Sequence, residues 1–353
     1  MRLSPSAIED LYWWIASLPT AYNEVSHGSP DIVINTDASL SGWGDVLNDL
    51  TCGGHWSLVE QTFHINYLEL LAVLYVLQSF QGHLEHKHVR ALIDNTTAVA
   101  FITHIGTSHA GLCNRTTKTI WGWCIAKHIW ILTAHIPSVE NVGADKEPSK
   151  LRDETEWMLN RPIFNRVLEI LNLTPDIYLF ASRLNHQAER YVSYQPDPQA
   201  VAVDAFLINW KDYDVFYAFP PFSLITQVLQ KIQSQQVTGL LIVPDWPTQI
   251  WYPKLMRMLI NYSLLIPPQD LKLLYLPYNP AKIHQLHKTM WLLACYLSGD
   301  VSKTKVFQSQ FPSISTSHGE HLRKSSIALT SVNGRFSVIP EGLIQFHILS
   351  KVP

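Results

Sequence analysis

Four acidic residues stand where a fold can bring distant carboxylates together. Asp37 ends the apolar run DIVINTD, Glu69 lies in INYLELL, Asp94 ends VRALID, and Asp145 lies in ENVGAD. Unpaired carboxylates held close together disfavour each other's ionisation. A divalent cation removes that penalty, and Mg²⁺ prefers hard oxygen ligands while keeping part of its water shell. Two such ions about 4 Å apart can stabilise both the attacking water and the leaving oxygen of a phosphodiester. The chemistry on offer is therefore metal-assisted hydrolysis of a nucleic-acid backbone. Each acid alone also reads more simply: Asp37 as a turn or cap residue, Glu69 as a solvent-facing helix residue, Asp94 as an N-cap, and Asp145 as a loop acid. Their order on the chain makes the joint reading the stronger one.

The elements that would position them follow from periodicity. DIVINTD alternates like a strand, and GWGDVL and GGHWSL read as two more, separated by the turn chemistry of NDLTCGG. INYLELLAVLYVLQSF places Leu68, Leu71, Leu74, Tyr75 and Leu77 at helical spacing. VRALID is a strand, and NTTAVAFITHIG is a helix between an Asn cap and Gly106. Residues 112–128 read as helical, and IWILTAHIP is a strand closed by Pro137. Short turns make the opening three strands antiparallel, and helical crossovers make the later ones parallel to the first.

Composition bounds the rest. A chain of 353 residues suggests two domains. No apolar run reaches the ~20 residues of a membrane helix, and the N-terminus lacks the order of a signal peptide. Cys52, Cys113, Cys124 and Cys295 have no metal-type spacing and read as free, buried thiols of a reducing, intracellular compartment (cytoplasm or nucleus). Residues 1–150 carry 8 Lys and Arg against 14 Asp and Glu, a net of −6, and residues 151–353 carry 18 against 15. The first half is no basic glove for nucleic acid. Another segment, or bound cations, must supply the positive charge.

TDASLSGWG, LELLAVLYVLQ, DNTTAV and HIPSVENVGAD together resemble the type 1 ribonuclease H domain of retroelement polyproteins over about residues 31–150. The resemblance implies that Asp37, Glu69, Asp94 and Asp145 hold two Mg²⁺ ions and cut the RNA strand of an RNA–DNA hybrid, leaving a 3′ hydroxyl. Recognition would then rest on 2′-hydroxyls and duplex shape. His135 is a candidate for the family's mobile histidine, but it sits in the strand end HIP, and a structural role is the stronger reading. Asp45 stands where the family has a small residue, an unremarkable change if that strand edge is exposed. ETEWMLNRPIFNRVLEILNLTPDIYLFASRLNHQ, directly after this segment, resembles the DIRS-like, tyrosine-recombinase retrotransposons. That implies a reverse transcriptase domain of a parent polyprotein as partner.

Residues 151–173 read as a helical linker broken at Pro162, and strands alternate with helices again from Thr174, with DIYLFAS, AVAVDAFLI, DVFYAF, GLLIVP and LKLLYLP as strands. Residues 174–260 resemble a phage-type DNA adenine-N6 methyltransferase domain. That family's catalytic loop has Asp or Asn, two prolines and an aromatic that stacks on the flipped base. Here the loop is Phe219-Pro220-Pro221-Phe222. Phe222 keeps the stacking position, while Phe219 cannot accept a hydrogen bond. The acid that would help bind S-adenosylmethionine is replaced by Tyr178, with Asp176 two residues away. Methyl transfer is not expected, and FPPF also reads as an apolar packing loop. Ser223 should cap the next helix. Trp246, Trp251 and Tyr252 could stack bases, but core or surface-groove packing is the stronger reading for them.

The expectation is an α/β chain. It has an N-terminal tether (1–30), a ribonuclease H-like mixed sheet flanked by helices (31–150) and a helical linker (151–173). A Rossmann-like methyltransferase-type domain (174–300) and a disordered tail (301–353) follow. The expected function is Mg²⁺-dependent hybrid cleavage without membrane attachment. A catalytically inactive, nucleic-acid-binding remnant is the alternative.

Overall fold

The computed structural model describes residues 3, 5–19, 27–48, 50–106, 111–137, 156–268, 273–310, 336–339 and 342–349. Asp145 lies outside the described residues. After an N-terminal helix α1 (Pro5–Ser17), the chain forms β1 (Ile32–Ala38), β2 (Gly42–Leu47) and β3 (Leu50–His55), an antiparallel meander. Asn48 turns the second hairpin at φ 55°, a left-handed conformation that Asn tolerates. The crossover α2 (Ile65–Ser79) and the short α3 (Gln81–Leu84) return the chain to β4 (His88–Ile93), which pairs parallel with β1. Then α4 (Thr96–Thr103) and α5 (Gly111–Ala126) lead to β5 (Trp130–His135), parallel to β4. The strand order is β3-β2-β1-β4-β5, a mixed sheet flanked by helices, with the expected directions. Trp43, Trp56, Leu68, Leu70 and Phe80 are fully buried in its core.

Two expectations about this sheet fail. Asp45 is not on an exposed edge; it is completely buried on β2 between Thr36 and Cys52. Its Oδ1 accepts from the backbone N–H groups of Asn35 (2.9 Å) and Val46 (2.6 Å), while Oδ2 has no hydrogen-bond partner. Cys113 is only half-buried, unlike the other three free thiols.

The second unit is also a mixed α/β layer. Its elements are β6 (Met158–Leu159), α6 (Arg161–Leu171), β7 (Ile177–Tyr178), β8 (Val192–Ser193), β9 (Ala202–Val203) and β10 (Phe216–Ala218). Next come α7 (Ile225–Gln235), β11 (Thr238–Pro244), α8 (Tyr252–Arg257), β12 (Leu264–Ile266), β13 (Leu274–Tyr275) and β14 (Leu292–Ser298). The described chain closes with α9 (Val301–Gln308), β15 (Phe336–Ile339), β16 (Gly342–Gln345) and β17 (His347–Ile348). The main sheet runs β17-β12-β14-β11-β10-β7. β7, β10 and β11 are parallel, and β14 enters antiparallel between β11 and β12.

Several local expectations are corrected here. Pro162 does not break a helix: it sits in the first turn of α6, where a missing N–H costs nothing. The segment expected as a linker packs Ile163, Phe164 and Val167 into the second core. LKLLYLP supplies only β13, which pairs with β6 outside the main sheet. Ser223 does not cap α7; it lies inside the 3₁₀ turn Phe222–Leu224, and Leu224 occupies the cap without a side-chain bond. The expected disordered tail instead contains α9 and β17, and β17 pairs with β12.

The two units are joined by a buried ion pair. Arg183 grips Glu60 through both nitrogens (2.9 and 3.0 Å) and donates to the His55 carbonyl at 3.0 Å. Its guanidinium also lies over the Tyr75 ring at 4.4 Å, and the Tyr75 hydroxyl donates to Glu60. Burial pushes the Glu60 carboxyl up, but the Arg183 charge and the bonds from Arg183, Tyr75 and Ser57 outweigh it, so the net shift is downward. The stabilisation is therefore present above the ordinary Glu range and lost as pH falls through the lowered value.

Two outcomes are expected in denaturant titrations. Glu60→Gln leaves a buried guanidinium without its charge partner, and unfolding free energy should fall by about 3 kcal/mol. Burial pushes the Asp45 carboxyl up to about 7, against the ordinary 3.8. A raised folded value means stability is lost as pH rises from about 4 through about 7. Asp45→Asn should flatten that decline, worth about 1.4 kcal/mol per pH unit.

Candidate metal centre

Parallel pairing sets the first two acids side by side. Thr36 on β1 is level with Ile93 on β4, so the next residues, Asp37 near the end of β1 and Asp94 just past β4, lie side by side at the same end of the sheet. The following turn is tied by Ser39, whose Oγ accepts from the N–H groups of Ser41 and Gly42. Glu69 comes from the second turn of α2, a helix buried on nearly all sides against the sheet. One oxygen from each of Asp37, Glu69 and Asp94 lies within 4.8 Å of the others. Asp37 and Glu69 are buried, and Asp94 is half-buried.

The simpler readings fail for two of these residues. Glu69 is 3% exposed and does not face solvent. Asp94 is not the cap of α4: Asn95 is, accepting from the Ala98 N–H at 3.0 Å. Asn95 does a second job that the sequence did not reveal. Its Nδ2 donates to Asn66 Oδ1 at 3.0 Å, tying the start of α4 to the first turn of α2. That bond fixes the separation between the Asp94 and Glu69 backbones. The Asn cap was legible, but its partner 29 residues upstream was not.

Electrostatically the cluster is frustrated. Burial pushes the Glu69 carboxyl up to about 9, and the neighbouring charges of Asp94 and then Asp37 push the same way. Glu69 Oε2 is buried with no hydrogen-bond partner. An orphaned carboxylate oxygen beside two further acids, all hard oxygen donors, fits a divalent cation of the Mg²⁺ type. Among the described residues this is the one group of His, Cys, Asp or Glu that could hold a metal. His135 ends β5 opposite Ile93, at the same sheet edge, and is exposed. It holds no core position.

In the second unit, the ends of β10 and β11 bring Phe222 and Trp246 together, rings edge to face at 5.2 Å and both half-buried. Phe219 is buried in the core, and Trp251 and Tyr252 are core residues too. Asp176 is tied to the backbone: its Oδ2 accepts from the N–H groups of Asp214 and Val215, both at 2.9 Å. Tyr178 is buried against Tyr217. No described helix is long and apolar enough to cross a membrane.

No family model and no curated protein matches the chain. Solved structures are similar over part of it, three RNase H1 structures among them. LC11-RNase H1, in complex with an RNA/DNA hybrid, is 18% identical with a TM-score of 0.29. RNase H1 from the halophilic archaeon Halobacterium salinarum NRC-1 is 16% identical with a TM-score of 0.27. A further structure of LC11-RNase H1, isolated from compost by a metagenomic approach, is 19% identical with a TM-score of 0.25. Each match covers 33% of this chain and 92% of the other. At those identities and scores the likeness adds nothing to the strand order and the acid geometry.

If the acids hold a cation, Glu69→Gln should have a double signature in thermal melts. It should raise the melting temperature in EDTA, because it removes a buried charge conflict. It should also abolish the stabilisation that Mg²⁺ gives the wild type, which mass action sets at about 2.7 kcal/mol at a hundredfold excess over Kd.

Proposed function

We propose that residues 31–150 form a metal-dependent endonuclease of ribonuclease H type, which hydrolyses the RNA strand of an RNA–DNA hybrid and leaves a 3′ hydroxyl. The observation that carries this reading is the convergence of Asp37, Glu69 and Asp94, from three separate elements, within 4.8 Å at one sheet edge. Asp145 is the proposed fourth ligand. Bound Mg²⁺, as two ions, would activate water and stabilise the leaving oxygen of the phosphodiester.

The chain's own contributions follow from the geometry. Asp37 and Asp94 present oxygens from the ends of neighbouring parallel strands, so their spacing is set by backbone pairing. Glu69 supplies an oxygen from a rigid, buried helix. The Asn66–Asn95 bond holds that helix in place relative to Asp94. The Trp56 indole N–H donates to the Ser39 carbonyl at 2.8 Å and steadies the turn that follows Asp37. Such pre-set ligands lose little freedom when the substrate arrives.

The parent context proposed is a DIRS-like retroelement polyprotein, with its reverse transcriptase domain as partner. The segment from Glu154 onward supports it by resemblance. The second unit is proposed as a methyltransferase-like fold without methyl transfer. Phe219, apolar and buried, offers no side-chain acceptor for an adenine amino group. Phe222, half-buried against Trp246, is the proposed base-stacking residue. The lost acceptor also favours a second reading for that unit alone: a remnant that binds nucleic acid without chemistry.

Folded full-length protein with Mg²⁺ should cut a labelled RNA–DNA hybrid on the RNA strand only. Asp94→Asn should lower the rate by more than the ~100-fold that outer-shell changes typically cost. A folded wild type with no Mg²⁺-dependent cleavage sinks the proposal.

A further inference from the structure

The acid site has a charge problem, since its own half of the chain is net negative while the proposed substrate is a polyanion. The second unit holds a segment of the opposite kind. Residues 273–290 contain no Asp or Glu but carry Lys282, His284, His287 and Lys288. Lys282 and Lys288 are exposed, and the two histidines are half-buried. The segment is built rather than loose. Consecutive turns close it through Asn279 N–H to the Leu276 carbonyl (3.1 Å), Lys282 N–H to the Asn279 carbonyl (3.1 Å) and Met290 N–H to the Leu286 carbonyl (2.8 Å). Tyr278 and Met290 are buried and anchor it at both ends.

This loop docks beside the edge that carries Asp37. The Tyr278 ring stacks on the His55 ring at 3.6 Å, and His55 ends β3 opposite Gly42, the residue that opens β2 after the Asp37 turn. Gln61 Nε2 donates both to the Tyr278 carbonyl (3.1 Å) and to the Trp56 carbonyl (3.0 Å). Trp56 in turn bonds to the carbonyls of Ser39 and Ser41. β3 lies two strand spacings from β1, about 10 Å. The loop therefore starts within one duplex width of the carboxylates.

We infer that loop 276–289 of the second unit is a phosphate-binding rail that holds the backbone of the nucleic acid while the acids of the first unit act on it. The inference rests on the nuclease reading for its substrate, but its geometry does not. Lysines suit this task as point charges on flexible stems. The lysines are the charges assigned to the rail; burial, and next the neighbouring His287, push the His284 ring below its usual value. The Arg183–Glu60 pair keeps the rail and the acids in one frame.

The test is hybrid binding by the full chain in EDTA, followed by fluorescence anisotropy across a salt series, with Mg²⁺-dependent cleavage measured in parallel. Lys282→Gln with Lys288→Gln should weaken binding on the order of tenfold near 0.1 M salt. It should also flatten the slope of log K against log salt by about 2, at ~0.9 per lost phosphate contact. Lys211→Gln with Lys305→Gln removes the same charge at two other exposed lysines and should leave the slope unchanged. Equal losses from both pairs would overturn the rail. So would a wild type that cuts the hybrid while the Lys282/Lys288 variant binds with an unchanged slope, and the nuclease reading would then survive. A wild type that never cuts, yet binds with a slope set by Lys282 and Lys288, would keep the rail and sink the nuclease reading.

Discussion

Mutual repulsion among Asp37, Glu69 and Asp94 is the constraint around which the first unit is organised. Left to themselves, three carboxylates within 4.8 Å would spread apart or take up protons. They stay together because each hangs from an element fixed by something else. β1 and β4 are locked by parallel pairing, and α2 is wedged by Leu68, Leu70, Val73 and Leu77 into the core. The apolar frame thus stores an electrostatic conflict that a hard cation relieves. Apolar burial near 25 cal/mol per Å² is what makes such storage tolerable.

Much of this arrangement was readable from the chain. Asp37 and Asp94 each close an alternating apolar run, so their position at strand ends followed from period two. Glu69 followed from helical spacing, although only burial shows that it faces inward. Asp45 shows the limit of the same reasoning. Nothing in GWGDVL indicates that both sides of β2 are covered, so a buried acid with one unpartnered oxygen looked like a surface residue. In the second unit, β14 escaped notice because it joins antiparallel between β11 and β12, a placement that chain order does not encode. The Arg183–Glu60 pair spans 123 positions and has no local signature at all.

The second unit is a mixed α/β layer with parallel and antiparallel strands in one sheet. Parallel β7, β10 and β11 present their ends to a common edge, where Phe222 meets Trp246. Yet Phe219 has turned into the core, and Asp176 closes a loop at the opposite end of the strands. Its polar surface has instead been put to structural use against the first unit, through Arg183, Gln195 and Tyr278.

That docking has a consequence for β3. As the outermost strand of its sheet, β3 would otherwise offer bare peptide groups as a template for another chain. Arg183 occupies the His55 carbonyl, Tyr278 lies over the His55 ring, and Gln195 takes up the Thr51 hydroxyl. The neighbouring unit therefore acts as a partial sheath over the free side of β3, shielding it from strand-to-strand pairing.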